Sequence, residues 1–324
     1  MFVSVLEWLG MAAVTIAIFA YDVVIVARRP REPTMRECAI TLSVYVGLAG
    51  LFAIWVWLFH GHRYAIEFLA GWVTEYSLSV DNLFLFIIVM AAFHVPKVHQ
   101  QQALFVGIVI ALVLRGIFIL LGALAIARFS WVFYIFGGFL TYTAVRLVRD
   151  AHRDVDADNP VVEFVRRHLK TAETWDGLKL YVKDGSHRRL TPMLLVVLAL
   201  AGTDLFCALD SIPAIFGLTR EPYLVFAANV FALMGLRQLY FMLAGLLQRL
   251  AYLSLGLGVV VLFIGVKLIL QALRENNLPF INGGQPLNVP EIPTLLSLAV
   301  IVVTLVVAAA ASLYTTRVSD TDSR

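Results

Sequence analysis

The sequence predicts an all-α, polytopic membrane protein of about nine transmembrane helices, with an inverted repeat of two three-helix units. Three observations predict it. The 324 residues are 60% hydrophobic and 15% charged, with mean hydropathy +0.85, far from the roughly 25% charge of soluble domains. Nine apolar stretches each approach the length of about 20 residues that a hydrocarbon core of roughly 30 Å demands. A polar pattern, Glu75-Tyr-Ser-Leu-Ser-Val-Asp81-Asn82, returns 129 residues later as Asp204-Leu-Phe-Cys-Ala-Leu-Asp210-Ser211.

The spans are expected near 3–26, 38–59, 64–92, 103–126, 130–148, 192–217, 223–246, 250–273 and 293–314. The first has no basic n-region and no small-residue cleavage site, so it reads as a retained helix. The third is long enough to tilt or break. Thr191-Pro192 reads as an N-cap with proline at N1, opening the sixth. Residues 1–62 then form an N-terminal pair of spans and 63–149 the first three-helix unit. A charged loop, 150–191, is expected to hold one amphipathic helix near 161–182. Residues 192–274 form the second unit, and 275–324 an external loop, a final span and a tail.

Basic residues sort by loop. Odd-numbered loops and the C-terminal tail carry 18 of the 25 Lys and Arg, ten of them between Arg146 and Arg189. Even-numbered loops carry four: Arg63, Arg128, Arg220 and Arg274. The positive-inside rule puts the N-terminus outside and the 150–191 loop and C-terminus inside. This distribution is a topology signal, not a nucleic-acid surface. Cys38 and Cys207, both in apolar segments, suggest no disulfide framework.

The duplication extends past the acids. Ala111-Leu-Val-Leu-Arg115 matches Leu233-Met-Gly-Leu-Arg237, and Tyr142-Thr-Ala-Val-Arg146 matches Phe263-Ile-Gly-Val-Lys267. Three helices per unit force the two units into opposite orientations, as in many secondary transporters. A carboxylate at the bilayer centre costs roughly 2.5–3.5 kcal/mol on insertion scales, and such groups mark ion or proton pathways. Residues six apart on a helix lie about 240° apart around it. Glu75 and Asp81 therefore either flank a local unwinding or face different neighbours; Pro213, three residues after Asp210, favours a break in the sixth span.

The candidate metal ligands are Glu75, Asp81, Asn82, Asp204, Asp210 and Ser211, with Arg115 and Arg237 as charge partners; Ser79 and Thr203 add hydroxyls. An all-oxygen set suits Mg, Ca or Mn, whereas no His or Cys cluster points to Zn or Cu. The bland alternative makes the acids structural ion pairs with Arg115, Arg237 and Lys267. Repetition in both halves, and more acids than bases, weigh against it. Glu7, Asp22 and Glu67 read as interfacial, Cys207 as packing, and His60, His62, His94 and His99 as solvated.

At Ser77-Leu-Ser-Val-Asp81-Asn82, Val113-Leu-Arg115-Gly-Ile-Phe, Phe206-Cys-Ala-Leu-Asp210-Ser211-Ile-Pro213-Ala-Ile-Phe and Gly235-Leu-Arg237-Gln-Leu-Tyr-Phe, the chain resembles the TerC family of bacterial integral membrane proteins, named for tellurium resistance. The resemblance covers about residues 60–275. It implies a multi-pass protein of the cytoplasmic (inner) membrane that exports manganese, with Asp81 and Asp210 as central acids and Glu75 and Asp204 beside them. It also implies links to tellurite or alkaline stress and to the metalation of exported proteins. The family pattern carries a glutamate three residues before the aspartate at 204, where this chain has Ala201.

The leading expectation is thus a transporter exporting a divalent cation, Mn2+ before Ca2+, with no resident cofactor. The alternative is a membrane scaffold or stress-response subunit recruiting cytoplasmic partners through the 150–191 loop. An enzyme is not expected: the spans hold no His-Glu-x-x-His and no Gly-x-Ser-x-Gly. The expected partners are membrane lipid, the transported ion and cytoplasmic or exported proteins, with no nucleic acid.

Overall fold

A computed structural model describes residues 1, 3–28, 33–93, 95–129, 131–150, 181–184, 187–243, 253–276, 278 and 281–322. Its helices are α1 (Val5–Arg28), α2 (Met35–His60), α3 (His62–Ala92), α4 (Lys97–Arg128), α5 (Val132–Asp150), α6 (Pro192–Phe216), α7 (Pro222–Leu243), α8 (Leu253–Arg274) and α9 (Thr294–Asp322). Seven of them hold segments long and apolar enough to cross a membrane: Met35–His60, His62–Ala91, His99–Ile126, Pro192–Phe216, Pro222–Met242, Leu255–Arg274 and Thr294–Ser312. α1 contributes a shorter apolar segment, Val5–Tyr21. α5 falls short of nine-span regularity because Arg146, Arg149 and Asp150 occupy its end, trimming its apolar length. The described residues are nearly all helical; among them one antiparallel hairpin pairs β1 (Tyr181–Asp184) with β2 (His187–Leu190). The amphipathic helix expected near 161–182 lies almost wholly outside the described residues, and Tyr181 and Val182 belong to β1.

Local chemistry sets the helix starts. Thr34 caps α2 in a reciprocal box with Glu37: Glu37 N donates to Thr34 Oγ1 at 3.3 Å and Thr34 N to Glu37 Oε2 at 2.9 Å, satisfying two orphan donors. Gly61, at φ 104°, takes the left-handed turn between α2 and α3 that a Cβ would disfavour. Thr191 caps α6, with Pro192 at its first turn.

Neither acid-bearing helix breaks. α3 runs through 31 residues, about 46 Å at 1.5 Å per residue, so it must tilt within a bilayer. α6 continues through Pro213 to Phe216 and is capped by Gly217. The expected break is absent: the helix runs on for three residues past Pro213, whose missing N–H costs one bond, to the Leu209 carbonyl, close to the helix end.

α7 is the central helix, apolar nearly all round and buried against α2, α3 and α4. α3 also packs on α6, α4 on α6, α5 on α8, and α9 on α3 and α8. The α5–α8 crossing brings backbone to backbone. A Cβ on Gly137 would stand 2.9 Å from Gly265 O, and one on Gly265 would stand 3.1 Å from Thr141 N. Small residues permit such approach, and it drives helix association in lipid. Gly265→Leu is expected to destabilise the protein by about 1–3 kcal/mol, the range for overpacking a close-packed site. Thermal unfolding in detergent checks this; an unchanged midpoint would refute the close contact.

Candidate functional site

Where α3, α4, α6 and α7 meet, a fully buried Arg115 on α4 gathers polar groups from the other three. Its guanidinium forks onto Asp204, with Nε to Oδ2 at 2.8 Å and Nη2 to Oδ1 at 2.9 Å. Nη1 donates to Glu75 Oε1, to Asn229 Oδ1 at 2.9 Å and to Ser211 Oγ at 3.3 Å. Ser79 Oγ adds a hydrogen bond to Glu75 Oε1 at 3.2 Å. Guanidinium geometry suits this work: it is planar, always charged and matches carboxylates in pairs. Glu75, Arg115 and Asn229 have no exposed surface, and Asp204 and Ser211 almost none.

The arrangement follows from helix periodicity. Glu75 and Ser79, four apart, share a face of α3, and Asp204 and Ser211, seven apart, share a face of α6. Asp210 faces elsewhere, accepting from Thr143 Oγ1 of α5 at 3.1 Å. Because α6 is unbroken, its two aspartates serve different neighbours. Formal charge at the Arg115 centre is −1, from Glu75 and Asp204 against one guanidinium. Glu75 Oε2 is buried and accepts no hydrogen bond among the described residues. Buried polar atoms are rarely left so.

Arg237, on α7, is also buried, with the Gln238 side-chain amide 3.1 Å from its Nη2. Asn82 is half-buried on α3. The side chains of Asp22 and Asp81, and all of His94, lie outside the described residues. Among the described residues no three His, Cys, Asp or Glu side chains converge into a ready metal cluster. Asn229 escaped the sequence reading, although a lone amide inside Phe226-Ala-Ala-Asn-Val-Phe was a usable signal.

Glu67, expected near a span end, lies in the second turn of α3 with its side chain buried: Oε2 accepts from Thr219 Oγ1 at 2.7 Å and Oε1 from Arg63 Nε at 2.8 Å. One expectation is corrected. His60 is not simply solvated: its Nε2 lies 2.8 Å from Glu7 Oε1. Both cysteines are free.

The family described as "Integral membrane protein TerC family" matches residues 60–320. An uncharacterized membrane protein of Mycobacterium tuberculosis is 43% identical over 319 residues, 97% of this chain and 80% of the relative. One of Myxococcus xanthus is 37% identical over 265 residues, 81% of this chain and 82% of the relative. A membrane protein of Escherichia coli named for redox modulation, Alx, is 37% identical over 276 residues, 82% of this chain and 86% of the relative. No solved structure matches the chain.

Proposed function

Because the chain belongs to the TerC family of integral membrane proteins, we propose that it exports a divalent metal cation, manganese foremost, through the buried carboxylates of its two halves. One observation carries this reading. Glu75 from α3 and Asp204 from α6, equivalent positions of the repeated motif, meet at one buried point around a single counter-charge. A purely structural pair would need one carboxylate per arginine; here there are two, and one oxygen of Glu75 has no partner among the described residues. A divalent ion on both carboxylates would neutralise them. Oxygen donors suit manganese, and calcium nearly as well. Arg115 is then an exchangeable counter-charge, holding the site in the absence of metal and leaving Glu75 and Asp204 to the ion when it enters.

The packing supports an inverted repeat. Exchanging the units α3–α5 and α6–α8 turns the α3–α7 contact into the α6–α4 contact and returns α5–α8 to itself; all three are present. In that plan the ion site lies where the repeats meet, and rocking one repeat against the other exposes it alternately. The N-terminus is outside and the 150–191 segment inside, in keeping with the loop charges. Residues 63–149 and 192–274 are the moving units.

The deciding measurement is metal content of cells with and without the protein during manganese loading, together with calcium, magnesium and zinc. Expression should lower cell manganese; unchanged manganese alongside unchanged calcium would sink the reading. For topology, a cysteine placed in 150–191 should resist an impermeant thiol reagent in intact cells, and labelling from outside would reverse the orientation.

A further inference from the structure

Three oxygens from three helices converge on a single nitrogen of Arg115. Nη1 lies 2.9 Å from Asn229 Oδ1 and 3.3 Å from Ser211 Oγ, and it donates to Glu75 Oε1. A terminal guanidinium nitrogen carries two hydrogens, so the oxygens outnumber the donors. Glu75 Oε2 adds a buried oxygen that accepts no hydrogen bond among the described residues. Both oxygens of Asp204 are taken by Nε and Nη2. Together these four side chains bring six oxygens around one cationic group. Six is the number an octahedral divalent ion takes, and an ion, unlike an N–H, imposes no hydrogen count on its ligands.

Asn229 stands apart within this set. Between Tyr223 and Arg237 it is the only residue of α7 with a hydrogen-bonding side chain, and it has no exposed surface. A buried amide needs partners for both of its ends. Nδ2 donates to Val225 O at 2.9 Å, one turn back on the same helix. That bond fixes the amide and leaves Oδ1 aimed at the Arg115 centre. The helix that carries it is held firmly, with Ala227, Ala228 and Val230 fully buried. The repeat does not demand this residue. At the spacing that matches Arg115 with Arg237, Asn229 falls on Gly107, where a Cβ would already stand 3.2 Å from Leu200 Cβ. The amide therefore belongs to one half of the chain, and it faces the one centre that both halves share.

We propose that Asn229 is a ligand of the transported divalent cation, and that the ion takes the place Arg115 Nη1 now fills. The proposal rests on the transport reading above. As Nη1 withdraws, Glu75, Ser211 and Asn229 turn their oxygens to the ion from α3, α6 and α7. Asn229 closes the α7 side, from which neither carboxylate comes. Its neutrality has a task. Glu75 and Asp204 already balance a divalent charge, and a third carboxylate would hold the ion more tightly, since ligand charge sets the affinity of oxygen sites. An amide completes the cage and still lets the ion leave.

The test uses the purified full-length protein, with Mn2+ as the probe for equilibrium binding in detergent and for flux in liposomes. Asn229→Leu, similar in shape but without the oxygen, is expected to weaken Mn2+ binding by roughly tenfold or more. Asn229→Asp keeps the oxygen and adds charge. Binding should then tighten by about tenfold while flux slows by about fivefold, because release becomes the slow step. Loss of packing alone would not move affinity and flux in opposite directions. Asn229→Cys, made in a chain with Cys38→Ala and Cys207→Ala, reads ligation directly: a thiolate at this place should bind Cd2+ and give the ultraviolet charge-transfer band of a Cd–S bond. It also decides the matter if Asn229→Leu fails to fold. Wild-type Mn2+ affinity in Asn229→Asp, or no Cd–S band from Asn229→Cys, would overturn Asn229 as a ligand and leave the transport reading standing. Absence of Mn2+ binding and flux in the wild type would overturn both.

Discussion

Replacing Arg115 with methionine is expected to cost the folded protein about 3–5 kcal/mol, the range for removing one partner of a buried ion pair, and to abolish metal export. The side chain has no exposed surface and bridges four helices. Without it, Glu75 and Asp204 are left as two carboxylates in a site with no water access, and neither Ser211 nor Asn229 can balance them. Thermal unfolding in detergent should show the loss directly. A second substitution separates charge from shape. Arg115→Met with Asp204→Asn removes one of the stranded charges and should recover part of the stability, yet still carry no metal. Arg115→Lys keeps the charge but loses the fork onto Asp204, so it should be intermediate in stability. If Arg115→Met unfolds at the wild-type temperature, the guanidinium is not what holds this centre together.

Asp81→Asn and Asp210→Asn are each expected to cut manganese export by at least about a hundredfold, equivalent to roughly 2.7 kcal/mol of lost stabilisation along the path, while leaving insertion normal. The two residues hold equivalent places in the repeated motif. Asp210 is held by a hydroxyl from α5, not by the Arg115 centre. It therefore stands on the seam between the two repeats. An amide keeps its shape and can still accept from Thr143, but carries no charge for a divalent ion. Export rates in loaded cells, set against the amount of protein in the membrane fraction, give the comparison. Mutant cells that clear manganese as fast as wild type would remove both aspartates from the ion's path.

Much of the fold was legible because hydropathy over twenty residues is a strong signal. Every expected span has a helix over it, and Thr191-Pro192 marks the start of α6. Two kinds of detail were not legible. Pro213 suggested a break, but its effect depends on distance from the helix end, which the turn at Gly217 sets. The place of Glu67 near a span end was legible, its burial was not; that comes from the Thr219 turn closing over the first turns of α3, a contact 152 residues away in the chain. The acids themselves stood out, since four carboxylates in apolar helices are costly. Their neighbours did not. That Arg115 takes Glu75 and Asp204 together, and that Asn229 joins them, depends on how four helices rotate about their axes, which periodicity leaves open to within a face.

The glycine contact between α5 and α8 bears on how any motion could proceed. Side chains usually act as a compliant layer between helices, letting one slide a few tenths of an ångström past its neighbour. At Gly137 and Gly265 that layer is absent, and the carbonyl of one helix lies against the backbone of the other. Backbone contact this close leaves little room for one helix to slide along the other. One helix comes from each half of the chain, so this seam ties the two halves together at backbone range. A disulfide tying α5 to α8 at side-chain-bearing positions beside these glycines should therefore leave manganese flux near the wild-type rate. The same bond placed between α3 and α6, whose side chains meet at the Arg115 centre, should arrest it.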